Sequence, residues 1–137
     1  MSDADLLFMP ATQAAALIRT RKLSPVEYID TVLSAIERAQ PRINCFRQVL
    51  ADTARRDARK AEDAVMRGEK LGPLHGVPVS IKDLVDVAGA HTRHGSAIFE
   101  DNVATADDVL VQRLRTAGAI VIGKSTTPEF GVKGLTD

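Results

Sequence analysis

Two lysines stand at the ends of apolar runs, and either could do chemistry. In Val77-Pro78-Val79-Ser80-Ile81-Lys82 the alternation puts Val77, Val79 and Ile81 on one face of a strand and Pro78, Ser80 and Lys82 on the other, with the lysine at the carboxyl end. Such a lysine has two fates. It can stay a solvated cation, its stem lying along apolar surface or its charge paired with Asp83. Alternatively, desolvation disfavours the ammonium and leaves a neutral general base, the form on which serine-lysine hydrolases depend.

The second lysine lies in Gly118-Ala119-Ile120-Val121-Ile122-Gly123-Lys124-Ser125, which fits the pattern G-x-x-x-x-G-K-[ST] of a phosphate-binding loop. The pattern needs a loop whose backbone N–H groups curl around phosphate, whereas Ala-Ile-Val-Ile is stiff and strand-forming. It also needs a helix directly after the Lys-Ser pair, and here Thr126-Thr127-Pro128 intervenes. A buried strand ending in a turn is the better expectation, with a nucleotide binder as the remote alternative.

Other reactive side chains are less suggestive. His91 and His94 flank Arg93 in a turn-rich stretch with no third ligand at zinc spacing, so a solvated or substrate-contacting loop is expected there rather than a metal site. His75, between Leu74 and Gly76, reads as a hydrogen-bonded structural residue. Cys45 is the only cysteine, so it has no intramolecular disulfide partner, and it reads as a small buried hydrophobe in a reducing compartment rather than a nucleophile.

The elements that must position these residues follow from periodicity and caps. Thr12 is a candidate N-cap for a helix running to the basic end at Arg19, Arg21 and Lys22. Ser24-Pro25-Val26-Glu27 combines a capping serine, a proline at the first helical position and a glutamate three residues on, which predicts a capping box and a helix from Pro25 to about Gln40, stopped by Pro41. Ala54, Ala58, Ala61 and Val65 share one stripe of a third helix, from Asp52 to Arg67. After the strand ending at Lys82, Asp107 is expected to cap a helix through Leu110, Leu114 and Ala117, closed by Gly118, before a buried strand over residues 119–122. Strand, helix and strand in this order predict a parallel crossover unit in an α/β fold, and ligands of such sheets collect beyond the carboxyl ends of the strands. Lys82-Asp83 and Lys124-Ser125 both fall there.

Composition closes off other classes. Among 137 residues, 18 Lys plus Arg balance 18 Asp plus Glu, so the clustered positive charge that nucleic-acid binding requires is lacking. Met1 to Pro10 carries Asp3 and Asp5 without a basic n-region or a long apolar run, which predicts neither a leader nor a membrane anchor and a cytoplasmic location.

Two stretches then carry a family resemblance. Gly72-Pro73-Leu74-His75-Gly76-Val77-Pro78-Val79-Ser80-Ile81-Lys82-Asp83-Leu84 with Asp86-Val87-Ala88-Gly89, and Gly123-Lys124-Ser125-Thr126-Thr127-Pro128-Glu129-Phe130-Gly131, resemble the amino-terminal part of the amidase signature family. The helix start at Leu23-Ser24-Pro25-Val26-Glu27 and the helix end at Arg115-Thr116-Ala117-Gly118-Ala119 do so too. The resemblance implies an α/β/α domain around a mixed, mostly parallel sheet, with residues 1–70 as a helical lead-in and 71–137 as the start of the core. It also implies hydrolysis of a small-molecule amide by a serine, cis-serine and lysine triad, without metal or organic cofactor. Lys82 takes the place of the catalytic lysine, and Gly131, Val132 and Lys133 correspond to a stretch bordering the substrate channel. The bridging serine, the nucleophile and the oxyanion hole belong to a Gly-Ser-rich segment that follows in the family beyond Asp137. Ser80, Ser96 and Ser125 lack that context, so the chain by itself is expected to hold only the lysine part of the triad. The rest of the same enzyme or a second copy of the chain is the expected protein partner. The alternative is a non-catalytic interaction module. Thr126 stands where the family commonly has asparagine, and Arg93 where it has a second threonine.

Overall fold

A computed structural model describes residues 1–136. Five helices, α1 (Asp3–Leu7), α2 (Ala11–Arg19), α3 (Pro25–Ile43), α4 (Ala51–Met66) and α5 (Val109–Thr116), surround three strands, β1 (Phe46–Val49), β2 (Pro78–Lys82) and β3 (Ile120–Ser125). The sheet order is β1-β3-β2. β2 runs parallel to β3 and β1 antiparallel to it, so the sheet is mixed and the fold is α/β. Both families of strand pairing therefore meet on β3, the central strand.

Helix starts are local, and most obey local chemistry. Ser24 Oγ accepts hydrogen bonds from the N–H groups of Val26 and Glu27, and Pro25 occupies the first helical position, where its missing N–H costs nothing. The reciprocal half of the box is not made; the Ser24 hydroxyl instead donates to Glu62 of α4, tying two helices together. A full capping box forms unexpectedly at α1, where Ser2 and Asp5 cap each other's backbone. α2 starts after Pro10 with no side-chain cap, so Thr12 lies inside the helix rather than at its start. α3 also runs past Pro41 to Ile43. Pro41 removes only one donor there, and the carbonyl left over belongs to exposed Glu37, where water can satisfy it. The stop is made by Asn44, in the left-handed conformation at φ 43°, whose N–H still donates to Gln40 O.

α5 departs by one residue from the expected cap. Asp108, not Asp107, accepts the N–H of Leu110, while Asp107 accepts the N–H of Ala88 and pairs with Arg115. Within α5 Val111 is completely buried and Leu110 half exposed.

Three apolar clusters hold the layers. Ile29 and Leu33 of α3 and Ala54, Ala58 and Ala61 of α4 pack on Ile120 and Ile122, the small alanines allowing α4 to lie close to the sheet. Leu6, Ala14, Ile18 and Tyr28 join α1 and α2 to α3. On the opposite sheet face Ile81, Val121, Val87, Ala90 and Val111 join the parallel strands to the crossover and α5. Among the described residues no helix is long and apolar enough to cross a membrane.

Candidate active site

A bulge decides which way the strand ends point. Val79 pairs with Val121, but Ser80 pairs with Gly123, so Ile122 is an extra residue in β3 and the alternation of that strand is reset beyond it. Ile120 and Ile122 accordingly both face α3 and α4, whereas Val121 and Lys124 both face the crossover side. Gly123 has to be small because a Cβ would come within 2.6 Å of Gln48 O and 2.8 Å of the Phe46 ring on β1.

Lys124 is consequently driven into the protein. It is fully buried, and its ammonium donates to His91 O and Thr92 Oγ1, both at 2.9 Å, with Asp83 Oδ1 at 3.1 Å. Asp83 is equally buried. Its Oδ1 meets the ammonium as a charge contact off the hydrogen-bonding line, and Oδ2 accepts the N–H of Arg93 at 3.3 Å. This arrangement rules out the phosphate-loop reading. Gly123-Lys124-Ser125 is strand, and a lysine spent on three internal oxygens has nothing left for a phosphate.

Lys82 has the opposite surroundings. It ends β2 as the sequence predicts, pairs in register with Ser125, and so shares a sheet face with Ser125 and Ser80. α3 and α4 pack on this face over Ile120 and Ile122 of β3 but leave Ser80 and Lys82 of β2 exposed, while Ile81 on the other face is buried. Among the described residues the Lys82 ammonium has neither a hydrogen bond nor an ion pair. Its main chain is fixed, with Val85 N–H donating to Lys82 O at 3.0 Å.

The loops beyond the strand ends form a cleft of about 450 Å³ lined by Asp83, Arg93, Ser96, Arg47, Glu100 and Thr127 among others. Arg47 and Arg93 both bind Glu100, at 2.7 and 3.1 Å, and the bond from Arg47 holds the Glu100 carboxyl below its ordinary range. Ser96 Oγ donates to Glu129 at 2.7 Å, and Gly95 (φ +68°) lets the 91–96 loop press against the Thr127 and Pro128 carbonyls, where a Cβ would clash at 2.6 and 2.8 Å.

The expected substrate-channel residues are less concentrated. Val132 and Lys133 are exposed and line a smaller cleft of about 340 Å³ with Thr127 and Pro128, to which no β2 residue contributes. Gly131 (φ +70°) lies against Leu84, two residues beyond Lys82. The remaining candidates are accounted for by packing. His75 Nε2 bonds Ala61 O at 2.9 Å, His94 meets Phe99 edge-on at 5.1 Å between ring centroids, and Cys45 is half-buried against Gln40. His91 acts through its main chain, whose N–H donates to Gln48 Oε1. Thr126 N–H donates to Cys45 O, tying the end of β3 to the start of β1.

Sequence reading passed over the Asp83–Lys124 pair. A signal was present: an acid and a base occupy the carboxyl ends of two strands expected to be parallel neighbours, and one of them ends an unbroken apolar run.

Comparison with known proteins adds to this geometry. The Amidase family model matches residues 27–137. The chain is 41% identical over its whole length to an acylamidase of Rhodococcus erythropolis, covering 29% of that protein. It is 39% identical to an indoleacetamide hydrolase of Bradyrhizobium diazoefficiens over 93% of this chain and 24% of the relative. Among solved structures, a bacterial aryl acylamidase of the amidase signature enzymes superimposes with a TM-score of 0.89 at 25% identity, over 95% of this chain and 27% of the other. The native peptide amidase of Stenotrophomonas maltophilia gives 0.83 at 28% identity, over 90% and 26%. The chain thus spans less than a third of the relatives it matches.

Proposed function

The chain belongs to the amidase signature family, and from that premise we propose that it is the lysine-bearing part of an amide hydrolase, with Lys82 as the base. The observation that carries the reading is the contrast at the strand ends. Lys82 is exposed and unpaired among the described residues at the β2 edge of the sheet, whereas Lys124 is locked in an internal ion pair.

In this mechanism the neutral Lys82 amine takes a proton from a bridging serine, which has taken one from the nucleophilic serine. The nucleophile's Oγ bonds to the amide carbonyl carbon, and the tetrahedral intermediate collapses as the lysine returns the proton to the leaving amine. Water then attacks the acyl-enzyme, again giving up its proton toward Lys82, and as the bond from the carbonyl carbon to the nucleophile's Oγ breaks the proton is passed back to that Oγ and the acid departs. Both serines would come from the segment that follows in the family, and that segment would also cover the face around Ser80 and Lys82, excluding the water that keeps a lysine charged. Gly131, Val132 and Lys133 would border the approach of the amide. A substrate such as the acyl and aryl amides named for the relatives is in keeping with the family, and no metal or organic cofactor enters the scheme.

The test is turnover in an amidase chain that joins these residues to the serine-bearing segment. Lys82→Ala should lower kcat by about a thousandfold or more while circular dichroism and melting stay those of the parent. Lys82→Arg should be as poor, because a guanidinium cannot deprotonate. Parental turnover in folded Lys82→Ala would overturn the proposal.

A second reading, an interaction module, is favoured by exposed Phe8, Ile98 and Leu135. It predicts self-association or hydrophobic-dye binding by the 137-residue chain, and a clean monomer by light scattering that binds no dye would dismiss it.

A further inference from the structure

We propose that the buried Asp83–Lys124 pair is a positioning device for Lys82. The inference rests on the reading of Lys82 as the base and adds the residues that aim it.

Asp83 is the residue next to Lys82 and the most restrained point of the site. Its N–H donates to Ser125 O at 3.0 Å, extending the parallel ladder one residue past the strand, and its carbonyl accepts His94 N–H at 3.0 Å. Its carboxylate holds Arg93 N–H with one oxygen and faces the Lys124 ammonium with the other. Lys124 in turn grips His91 O and the hydroxyl of Thr92, itself fully buried. Three segments, the ends of β2 and β3 and the 91–94 loop, therefore converge on one charge pair. With Asp83 fixed on one side and Ile81 buried on the other, the Cα–Cβ direction of Lys82 is set, and only its side-chain rotations remain free.

Two considerations separate positioning from mere stability. Desolvating two charges offsets most of what their attraction returns, so a fully buried pair is a poor way to stabilise a fold that apolar residues of the same volume would hold as well. Such a pair does impose one arrangement on the groups around it, because any other leaves a charge unpaired. The second consideration is place: the pair sits where β2 must stop and the catalytic side chain must leave it, not in any of the three apolar clusters.

The experiment compares variants in the amidase chain that carries the serine-bearing segment. Asp83→Asn combined with Lys124→Met removes both charges together and strands neither. Positioning predicts cooperative unfolding like the parent's, with kcat down about a hundredfold from a misaimed base and KM within about threefold. A folded double variant with parental kcat overturns the proposal. Lys82→Ala is measured beside it: if that variant keeps parental turnover, the reading of Lys82 itself falls and the positioning role falls with it. If the double variant does not unfold cooperatively, Thr92→Val takes its place, deleting one acceptor of the Lys124 ammonium while keeping both charges. A loss of about tenfold in kcat at unchanged KM supports the proposal, and unchanged kcat overturns it.

Discussion

Lys82 and Lys124 end neighbouring parallel strands, one pairing beyond the other in register, yet they live in opposite environments. Lys124 points to the crossover side and is sealed by Asp83, His91 and Thr92; Lys82 points to the face on which α3 and α4 pack, at the β2 edge that they leave exposed. The residue type is the same, and the two lie one pairing apart in the sheet. Strand parity, reset by the extra residue Ile122, decides which lysine becomes part of the frame and which stays exposed. A lysine's role is therefore read from the face it occupies before it is read from any motif.

The largest effect that could break this comparison is on stability. Lys124→Met leaves the Asp83 carboxylate buried without a counter-charge and should cost about 3–5 kcal/mol in urea unfolding. Lys82→Met on the open face should change stability by no more than about 0.5 kcal/mol. Similar losses for the two would erase the distinction. Next comes the device that sets parity and spacing at β3: Gly123→Ala forces a Cβ into Gln48 O and the Phe46 ring and should cost about 1–3 kcal/mol, with β1 amides exchanging fastest relative to the parent. Parental exchange in β1 would show that the strands give way without strain.

How much of this was legible in the sequence depends on the range of the cause. The Ser24-Pro25 helix start and the Ala54, Ala58, Ala61 and Val65 stripe were readable because a cap and a period are properties of adjacent residues. The strand ending at Lys82 was readable from its alternation, and the parallel pairing of β2 with β3 from the strand, helix and strand order of a crossover unit. β1 was not, because Phe-Arg-Gln-Val is short and becomes a strand only by pairing with β3, far along the chain. Nor was the exchange between Asp107 and Asp108, either of which could cap; the choice follows from Asp107 being engaged by Ala88 N–H and Arg115. The burial of Lys124 was hidden by the phosphate-loop pattern, whose letters match while its backbone is extended. The strand-end position marks Lys82 as a candidate base, and only the family resemblance gives it the place of the catalytic lysine.

A gentler perturbation sharpens the comparison at the rim of the cleft. Glu100 is a weaker acid's opposite: bonded by Arg47, it titrates below its ordinary value of 4.5. A carboxyl depressed on folding contributes stability that is present above the unfolded value and is lost as pH falls through the folded one. Glu100→Gln should therefore unfold at lower urea than the parent at about pH 7, and the gap should close in acid below the carboxylate range. A gap that persists in acid would mean that the Arg47 and Arg93 contacts do not depend on charge. The buried Asp83–Lys124 pair is expected to be far more consequential than this exposed one, since solvent screens Glu100 but not Asp83.

The central claim, that one strand-end lysine is free and the other locked, is tested most directly by competitive acetylation of the native 137-residue chain at low extent, mapped by peptide mass spectrometry. Exposed Lys60 and Lys70 serve as internal standards. Lys82 should react within about threefold of those standards and Lys124 about a hundredfold more slowly, the gap vanishing once the chain is unfolded in urea. Equal native rates for Lys82 and Lys124 would contradict the account.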